Sequence, residues 1–205
     1  MPDASNMFLI VIGMDIESYS QKTPSQQVRV QHKLEEWVAS ASLNAQLYRQ
    51  ENEIMWVDTG DGGFVLYETQ YDKSIRFLSA LYRAIKDHNN ESLEAANINV
   101  RTAVHCDDAL KWEGRLGVHY AGNALVKCSR ILDAMNRRYS NQVVCSRAFL
   151  EKLFTERKPV LEARMPDQVD KHGLSHEVWN IRKPPEFGIL PEEDDLHYDP
   201  TEWNW

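Results

Sequence analysis

The hydrophobic pattern of the chain begins with a continuous apolar run and continues with a helical stripe. The run at residues 8–12 predicts a central strand that is buried on both faces. Pro24 and Ser25 then open a segment whose apolar residues recur every three to four positions, which predicts an amphipathic helix. The apolar stripe of this helix comprises Val30, Leu34, Trp37, Val38 and Ala41.

The next segments predict a β-hairpin and a second helix. Two short apolar stretches, 54–57 and 64–67, flank the glycine-rich residues 58–63, which is typical of a tight hairpin. Apolar residues at helical spacing follow, and the polar stretch 89–97 predicts a loop. The apolar positions of this second helix are Ile75, Leu78, Leu81, Tyr82 and Ile85.

The second half of the chain predicts a strand at 99–106, an irregular excursion at 112–119 and a third helix after Gly122. The apolar positions of the third helix are Leu125, Cys128, Ile131, Leu132 and Met135. The remaining predicted elements are a strand at 142–145, a short helix at 147–155, and strands at 160–163 and 176–182 that close the sheet.

This order of elements predicts an α+β fold with helices packed on one face of a mainly antiparallel sheet. The first elements fit a ferredoxin-like βαββαβ core, which further α/β elements extend. No linker divides residues 1–183, so they are interpreted as one domain. Residues 184–205 are acidic and marked by prolines, and are interpreted as a C-terminal tail.

Composition narrows the function classes. The 205 residues carry a net charge of −8, which argues against a nucleic-acid partner, because such proteins need a basic surface. No apolar stretch approaches the ~20 residues of a membrane helix, and no signal peptide is indicated. The three cysteines are widely spaced and form no CxxC motif, so we expect reduced thiols and a cytoplasmic protein.

Two aspartates follow the predicted strands in positions that suit metal binding. Asp15 comes just after the first buried strand, and Asp61 is at the tip of the glycine-rich hairpin. In a ferredoxin-like sheet these strands are neighbours, so the two carboxylates can meet at one edge and hold divalent ions. The alternative is an ordinary Asp-Gly hairpin and a turn-capping aspartate.

The third predicted helix carries a polar stripe on the face opposite its apolar one. Asn123, Lys127 and Arg130 lie at positions i, i+4 and i+7, close to a helix N-terminus opened by Gly122. One amide and two cations near such a terminus suit an anionic ligand. A solvated helix face is the alternative interpretation.

Four segments then stand in a characteristic order: Met14–Ser20, Thr59–Glu68, Val100–Cys106 and Tyr120–Met135. Together they resemble the catalytic domain of class III nucleotidyl cyclases over roughly residues 7–183. The resemblance implies the class III cyclase fold and a reaction in which a nucleoside triphosphate becomes a 3′,5′-cyclic monophosphate and pyrophosphate.

The resemblance also implies roles for individual residues. Asp15, Asp61 and the carbonyl of Ile16 match the ligands of two divalent ions, Mn²⁺ or Mg²⁺. Arg130 matches the arginine that stabilises charge on the transferred phosphorus, and Lys171 matches a lysine that holds the triphosphate. The backbone that would cradle the phosphates comprises Glu17, Ser18, Tyr19 and Ser20. In this family the aspartates and the cations come from opposite protomers, which implies a homodimer with shared active sites.

Three positions depart from the purine cyclases of the family. Val57 stands where they have a base-reading lysine, and His119 stands where they have an acidic or polar reader. Val126 replaces their transition-state asparagine, and Asn123, one turn away, is the candidate for that role. A rewritten base pocket in a compact single domain resembles the bacterial pyrimidine cyclases of the Pycsar anti-phage system. The candidates for base contact are Trp56, Val57, Arg101 and His119.

The resulting prediction is a metal-dependent pyrimidine cyclase that favours UTP over CTP and whose cyclic product a separate effector reads. Two alternatives stay open. One is an adenylate or guanylate cyclase with atypical base readers, and the other is a catalytically silent, cyclase-like module that binds a nucleotide.

Overall fold

The computed structural model describes residues 4–47, 55–68, 71–93, 96–115, 117–135, 139–155 and 161–182. Its helices are α1 (Pro24–Ala45), α2 (Tyr71–Glu91), α3 (Asn123–Ala134) and α4 (Arg147–Thr155). Its strands are β1 (Ala4–Ile16), β2 (Trp56–Asp58), β3 (Gly62–Glu68), β4 (Val100–Gly114), β5 (Gly117–Gly122), β6 (Val143–Ser146), β7 (Leu161–Arg164), β8 (Gln168–Val169), β9 (Ser175–His176) and β10 (Val178–Arg182).

The main sheet has eight strands in the order β2-β3-β1-β4-β6-β10-β7, and β5 pairs with the outer part of β4. Every pairing in it is antiparallel except that between β4 and β6. Strands β8 and β9 form a separate two-stranded sheet. The order β2-β3-β1-β4 is that of a ferredoxin-like core, so the predicted mainly antiparallel α+β fold is confirmed.

Strand β1 is the central strand, as predicted. It pairs with β4 along its whole length, from Ala4 opposite Trp112 to Ile16 opposite Val100. Its other edge pairs with β3 from Leu9 to Asp15. From Leu9 to Ile12 the apolar run is fully buried on both faces, and Phe8 is half-buried, because helices cover both sides of the sheet at this point.

The helices lie on both faces of the sheet, which corrects the prediction of a single covered face. The buried stripes of α1, α2 and α4 pack with one set of sheet residues, and α3 packs with the alternate set. Successive strand residues point to opposite faces, so a central strand that is apolar at every position requires a layer on each side.

Helix α1 begins where the sequence predicts because its first turn is capped. The backbone N–H of Gln26 donates to the Thr23 hydroxyl, and the backbone N–H of Thr23 donates to the side-chain oxygen of Gln26, which forms a capping box. Pro24 occupies the first helical position. The apolar stripe predicted for this helix is buried in full.

The segment 112–119 is a regular hairpin, which corrects the prediction of an irregular excursion. Strand β4 continues to Gly114 and returns as β5 from Gly117, whose φ of +111° suits only glycine. The two glycines therefore make a turn between two long strands and do not interrupt one. Similarly, α2 continues to Glu91, three residues into the predicted loop.

Ile54, Val160, the proposed boundary at residue 183 and the tail at 184–205 lie outside the described residues. Among the helices that the structure describes, none combines the length and the apolar character needed to cross a lipid bilayer.

Candidate active site

Asp15, near the end of β1, and Asp61, in the turn just before β3, lie at the same end of the sheet. Asp15 pairs across the ladder with Gly62, the first residue of β3. The backbone N–H of Ile16 donates to the carbonyl oxygen of Asp61 at 2.8 Å, which ties the hairpin to the end of β1. A Cβ atom on Gly62 would lie 2.0 Å from the carbonyl oxygen of Met14, so only glycine permits this close approach. The glycine-rich hairpin thus brings the two carboxylate-bearing residues together.

A cavity of about 290 Å³ opens at this end of the sheet. Most of its lining comes from the segment between β1 and α1, which turns sharply because Ser18 has a left-handed backbone with φ of 56°. A left-handed residue among right-handed ones points successive backbone N–H groups into a concavity that suits anions. The residues that line the cavity are Asp15, Ile16, Glu17, Ser18, Tyr19, Ser20, Gln21, Asp61 and Arg101.

Glu17 holds this segment against the neighbouring part of the chain. Its backbone N–H donates to the carbonyl oxygen of Asn99 at 3.0 Å. Its carboxylate accepts a hydrogen bond from the hydroxyl of Ser140 at 2.6 Å. The shape of the cavity therefore depends on the loops before β4 and β6 as well as on its own segment.

Asp15 forms an ion pair with Arg101 inside the cavity. The guanidinium Nε donates to Oδ2 of Asp15 at 2.8 Å, and a terminal nitrogen donates to the same oxygen. A second terminal nitrogen donates to the carbonyl oxygen of Met135, at the end of α3. The Asp15 and Arg101 side chains are only 16% and 23% exposed. Burial raises the pKa of the Asp15 carboxyl, the hydrogen bonds from Arg101 oppose that rise, and the negative charge of Asp61 adds to it.

The donors in the cavity fit a hard divalent cation. They are two carboxylates and the backbone of Ile16, all of which offer oxygen, and Mg²⁺ and Mn²⁺ prefer oxygen ligands. Within the described ranges no cluster of three or more His, Cys, Asp or Glu side chains could hold a metal ion. An ion bound here would therefore take its remaining ligands from water and from the oxygens of a bound anion.

The polar stripe of α3 forms a second group of charged residues. Asn123 is exposed at the first position of the helix, and Lys127 and Arg130 follow on the same face. Lys127 Nζ is 2.7 Å from an Asp107 carboxylate oxygen. Arg130 Nε is 3.8 Å from a carboxylate oxygen of Asp170. The stripe thus carries two paired cations on the side of α3 that faces away from the sheet.

Lys171 lies beside the same helix. It is on the turn between β8 and β9, and its Nζ is 3.1 Å from an Asp133 carboxylate oxygen. Asp133 follows Arg130 by three positions in α3, so the structure brings Arg130 and Lys171 to one surface. Neither residue lines the cavity that contains Asp15.

The four candidates for base contact do not come together within one chain. Trp56 packs against the core under α1 and α2, whereas Val57 pairs with Phe64, which packs on the α3 side of the sheet. Arg101 lies in the carboxylate cavity. His119 stacks on Trp112, which is opposite Ala4 at the far end of β1 from Asp15. A base site that used both Val57 and His119 would need a different arrangement from the one in a single chain.

Sequence reasoning missed the acidic partners of the cations. Asp107 and Asp133 are 20 and 38 residues from the lysines that they contact, so no local pattern pairs them. The sequence around Asp170 does predict a turn, because an aspartate followed three residues later by a glycine, here Gly173, is typical of one. That turn presents Lys171.

Comparisons with known proteins identify the fold of the chain. No protein-family model matches the chain, and no curated protein matches its sequence. Solved structures do match. The guanylate cyclase domain of a Catenaria anguillulae protein, solved with GTP, is 14% identical with a TM-score of 0.68, over 88% of this chain and 100% of that chain. The adenylyl cyclase CyaB from P. aeruginosa is 10% identical with a TM-score of 0.69, over 90% and 98%. A dimeric guanylyl cyclase domain from Blastocladiella emersonii is 12% identical with a TM-score of 0.66, over 87% and 97%.

The chain has the class III nucleotidyl cyclase fold. These matches cover 87–90% of the full 205-residue chain, so the cyclase fold accounts for most of it. It also agrees with the resemblance drawn from four sequence segments. At identities of 10–14% the similarity is one of fold, and the chemistry of the site depends on the residues that this chain places there.

Proposed function

We propose that this chain is a metal-dependent nucleotidyl cyclase. The observation that carries the proposal is the cavity in which Asp15, Asp61 and the backbone of residues 16–20 meet. Paired carboxylates beside an anion-binding segment suit a metal–triphosphate complex. The cyclase fold supports the same reaction class.

Asp15, Asp61 and the carbonyl of Ile16 would hold Mn²⁺ or Mg²⁺, two ions per site. Bound there, the ions would supply positive charge to the triphosphate and acidity to the attacking hydroxyl. The backbone N–H groups from Ser18 to Ser20 would bind phosphate oxygens, whereas that of Glu17, expected to join them, already donates to Asn99. In the reaction the ribose 3′-oxygen forms a bond to the α-phosphorus, the bond to the pyrophosphate oxygen breaks, and the hydroxyl proton leaves to water.

Arg130, Asn123 and Lys171 would complete the site of a partner protomer. Arg130 would stabilise charge on the α-phosphate, Lys171 would bind the end of the triphosphate, and Asn123 would orient the ribose. Their position outside the carboxylate cavity supports this division, because one chain then presents two half-sites. A homodimer would pair each half with its complement.

The proposed substrate is a pyrimidine triphosphate, UTP before CTP. Val57 is 38% exposed and has no polar group with which to read a purine edge. In the shared site, His119 would contact the base and would come from the same protomer that supplies Arg130. Trp56 packs against the core and Arg101 binds Asp15, so we assign neither of them to base contact. The wider proposal is a cytoplasmic, signal-producing enzyme of an anti-phage system whose product activates a separate effector.

Incubation of the purified chain with ATP, GTP, CTP and UTP together, with Mn²⁺, tests the proposal. We expect cyclic UMP as the main product by mass spectrometry and cyclic CMP as the second. Asp15→Asn should remove both products. Exposed Asp167, which pairs with Arg164, supplies a matched control in Asp167→Asn, and this variant should stay active.

Two other outcomes correspond to the other candidate functions. Cyclic AMP or cyclic GMP as the main product would replace the pyrimidine assignment with a purine cyclase, which the GTP-bound neighbour favours. Nucleotide binding without any cyclic product would indicate a silent module, which the exposed Val126 at the expected asparagine position favours.

A further inference from the structure

Asp170 is the most enclosed carboxylate near the cationic surface of α3. Its side chain is 1% exposed, although it belongs to a short turn between β8 and β9. A buried carboxylate has to be satisfied by donors, and the partners of Asp170 show what its charge is used for.

The two carboxylate oxygens have different partners. Oδ1 accepts backbone N–H groups from His172 at 2.8 Å and from Leu174 at 3.0 Å, which shapes the turn. Oδ2 is 3.0 Å from Nε2 of His176 and 3.8 Å from Nε of Arg130. The hydrogen bond with His176 lowers the pKa of Asp170 to about 2, so the carboxylate is charged at neutral pH. One oxygen therefore holds the turn, and the other presents a negative charge to the arginine.

We propose that Asp170 is a positioning residue that links Arg130 to the turn carrying Lys171, so that the two cations face one nucleotide. The proposal rests on the proposed cyclase function. Arg130 is 37% exposed, and its ion pair with Asp170 is made through Nε and not through a terminal nitrogen. The adjacent Lys171 is 70% exposed and anchored at Asp133, one helical turn from Arg130.

Asp170→Asn separates this role from a purely structural one. An asparagine oxygen can still accept both backbone N–H groups, so the turn should persist. Its amide nitrogen would face Arg130 with a donor in place of a charge, so the arginine would lose its anchor. Since Arg130 acts on charge that develops in the transition state, we expect kcat to fall about tenfold or more. KM should stay within about twofold.

The experiment measures kcat and KM with the triphosphate that the wild type converts fastest. Asp170→Ala loses the turn as well as the charge, and it should raise KM in addition to lowering kcat. Asp167→Asn is the matched control on the approach to the same turn, and it should keep wild-type kinetics. In an Arg130→Ala background, Asp170→Asn should lower kcat by less than about twofold, because its effect passes through Arg130.

Wild-type kinetics in Asp170→Asn would overturn the proposal, and so would an equal fall in kcat with and without Arg130. If the asparagine variant fails to fold, Asp170→Ser takes its place in the same comparison, because a serine hydroxyl can also accept backbone N–H groups in a turn. A wild-type chain that converts none of the four triphosphates would overturn the cyclase function, and the positioning role with it. That result differs visibly from an active wild type with an unaffected variant.

Discussion

Replacing Arg101 by methionine tests whether the carboxylate cavity is a cation site. The substitution keeps an unbranched side chain of similar length and removes only the charged head. In the structure that head lies 2.8 Å from Asp15, and both side chains are mostly buried. After its removal, the charges of Asp61 and Glu17 remain beside Asp15, and both disfavour its ionised form.

The expected cost can be worked out from the burial of the pair. Breaking a fully buried ion pair costs 3–5 kcal/mol and an exposed one less than about 1 kcal/mol, so this partly buried pair should cost about 2 kcal/mol. For a chain of this size that corresponds to a Tm lower by about 4–8 °C. A divalent ion at a hundred times its Kd would return about 2.7 kcal/mol. In the wild type the ion has to displace the guanidinium, so its net effect there should be smaller.

The assay is thermal unfolding in EDTA and in rising Mn²⁺. We expect Mn²⁺ to raise the Tm of Arg101→Met more than that of the wild type, by about 4 °C or more. Arg147→Met is the control, because Arg147 pairs with Glu151 at the surface and should respond to Mn²⁺ as the wild type does. Equal Mn²⁺ stabilisation of Arg101→Met and the wild type would refute the reasoning. So would stabilisation of Arg101→Met that persists after Asp15→Asn is added.

Three further predictions follow from the same structure. Mixing Asp61→Ala with Arg130→Ala protein should restore about a quarter of wild-type activity, because half of the exchanged dimers contain one intact site. Continued inactivity in dimers shown to exchange subunits would count against shared sites. Burial lowers the pKa of His105 to about 4, so the unfolded chain binds more protons between pH 6.5 and 4, and stability falls as the pH drops through that range. From pH 7 to pH 4.5 the wild type should lose about 2–2.5 kcal/mol of unfolding free energy through this group, and urea unfolding should show that His105→Gln lacks that loss; an unchanged pH slope would contradict this. Trp56→Ala should lower stability by about 2–3 kcal/mol without altering the choice among the four triphosphates, and a changed product ratio would return Trp56 to the base site.

The fold could be predicted from the sequence where periodicity is strong. The apolar run of β1, the stripe of α1 and the bounds of α4 agree with the structure, because each depends on local spacing. The long β4–β5 hairpin was missed because Gly114 and Gly117 suggest an interruption as readily as a turn.

The candidate site was predictable in part for a similar reason. Asp15 and Asp61 end or join strands whose neighbourhood the fold class determines. Trp56 was harder, since adjacent residues of a strand point to opposite faces and no local pattern says which face is the core. The pairing of Arg101 with Asp15 depends on strand register across 86 residues, and that register emerges only from the assembled sheet.

That separation of 86 residues has a consequence for synthesis of the chain. Strand β1 leaves the ribosome first, and it cannot complete its ladder until β4 has been made. At 5–20 residues per second, Asp15 at the end of β1 waits about 4–17 s for Arg101, its partner across the ladder. During that interval a strand that is buried on both faces in the finished protein is exposed to other nascent chains. The time for which this strand edge stays unpaired therefore grows as translation slows.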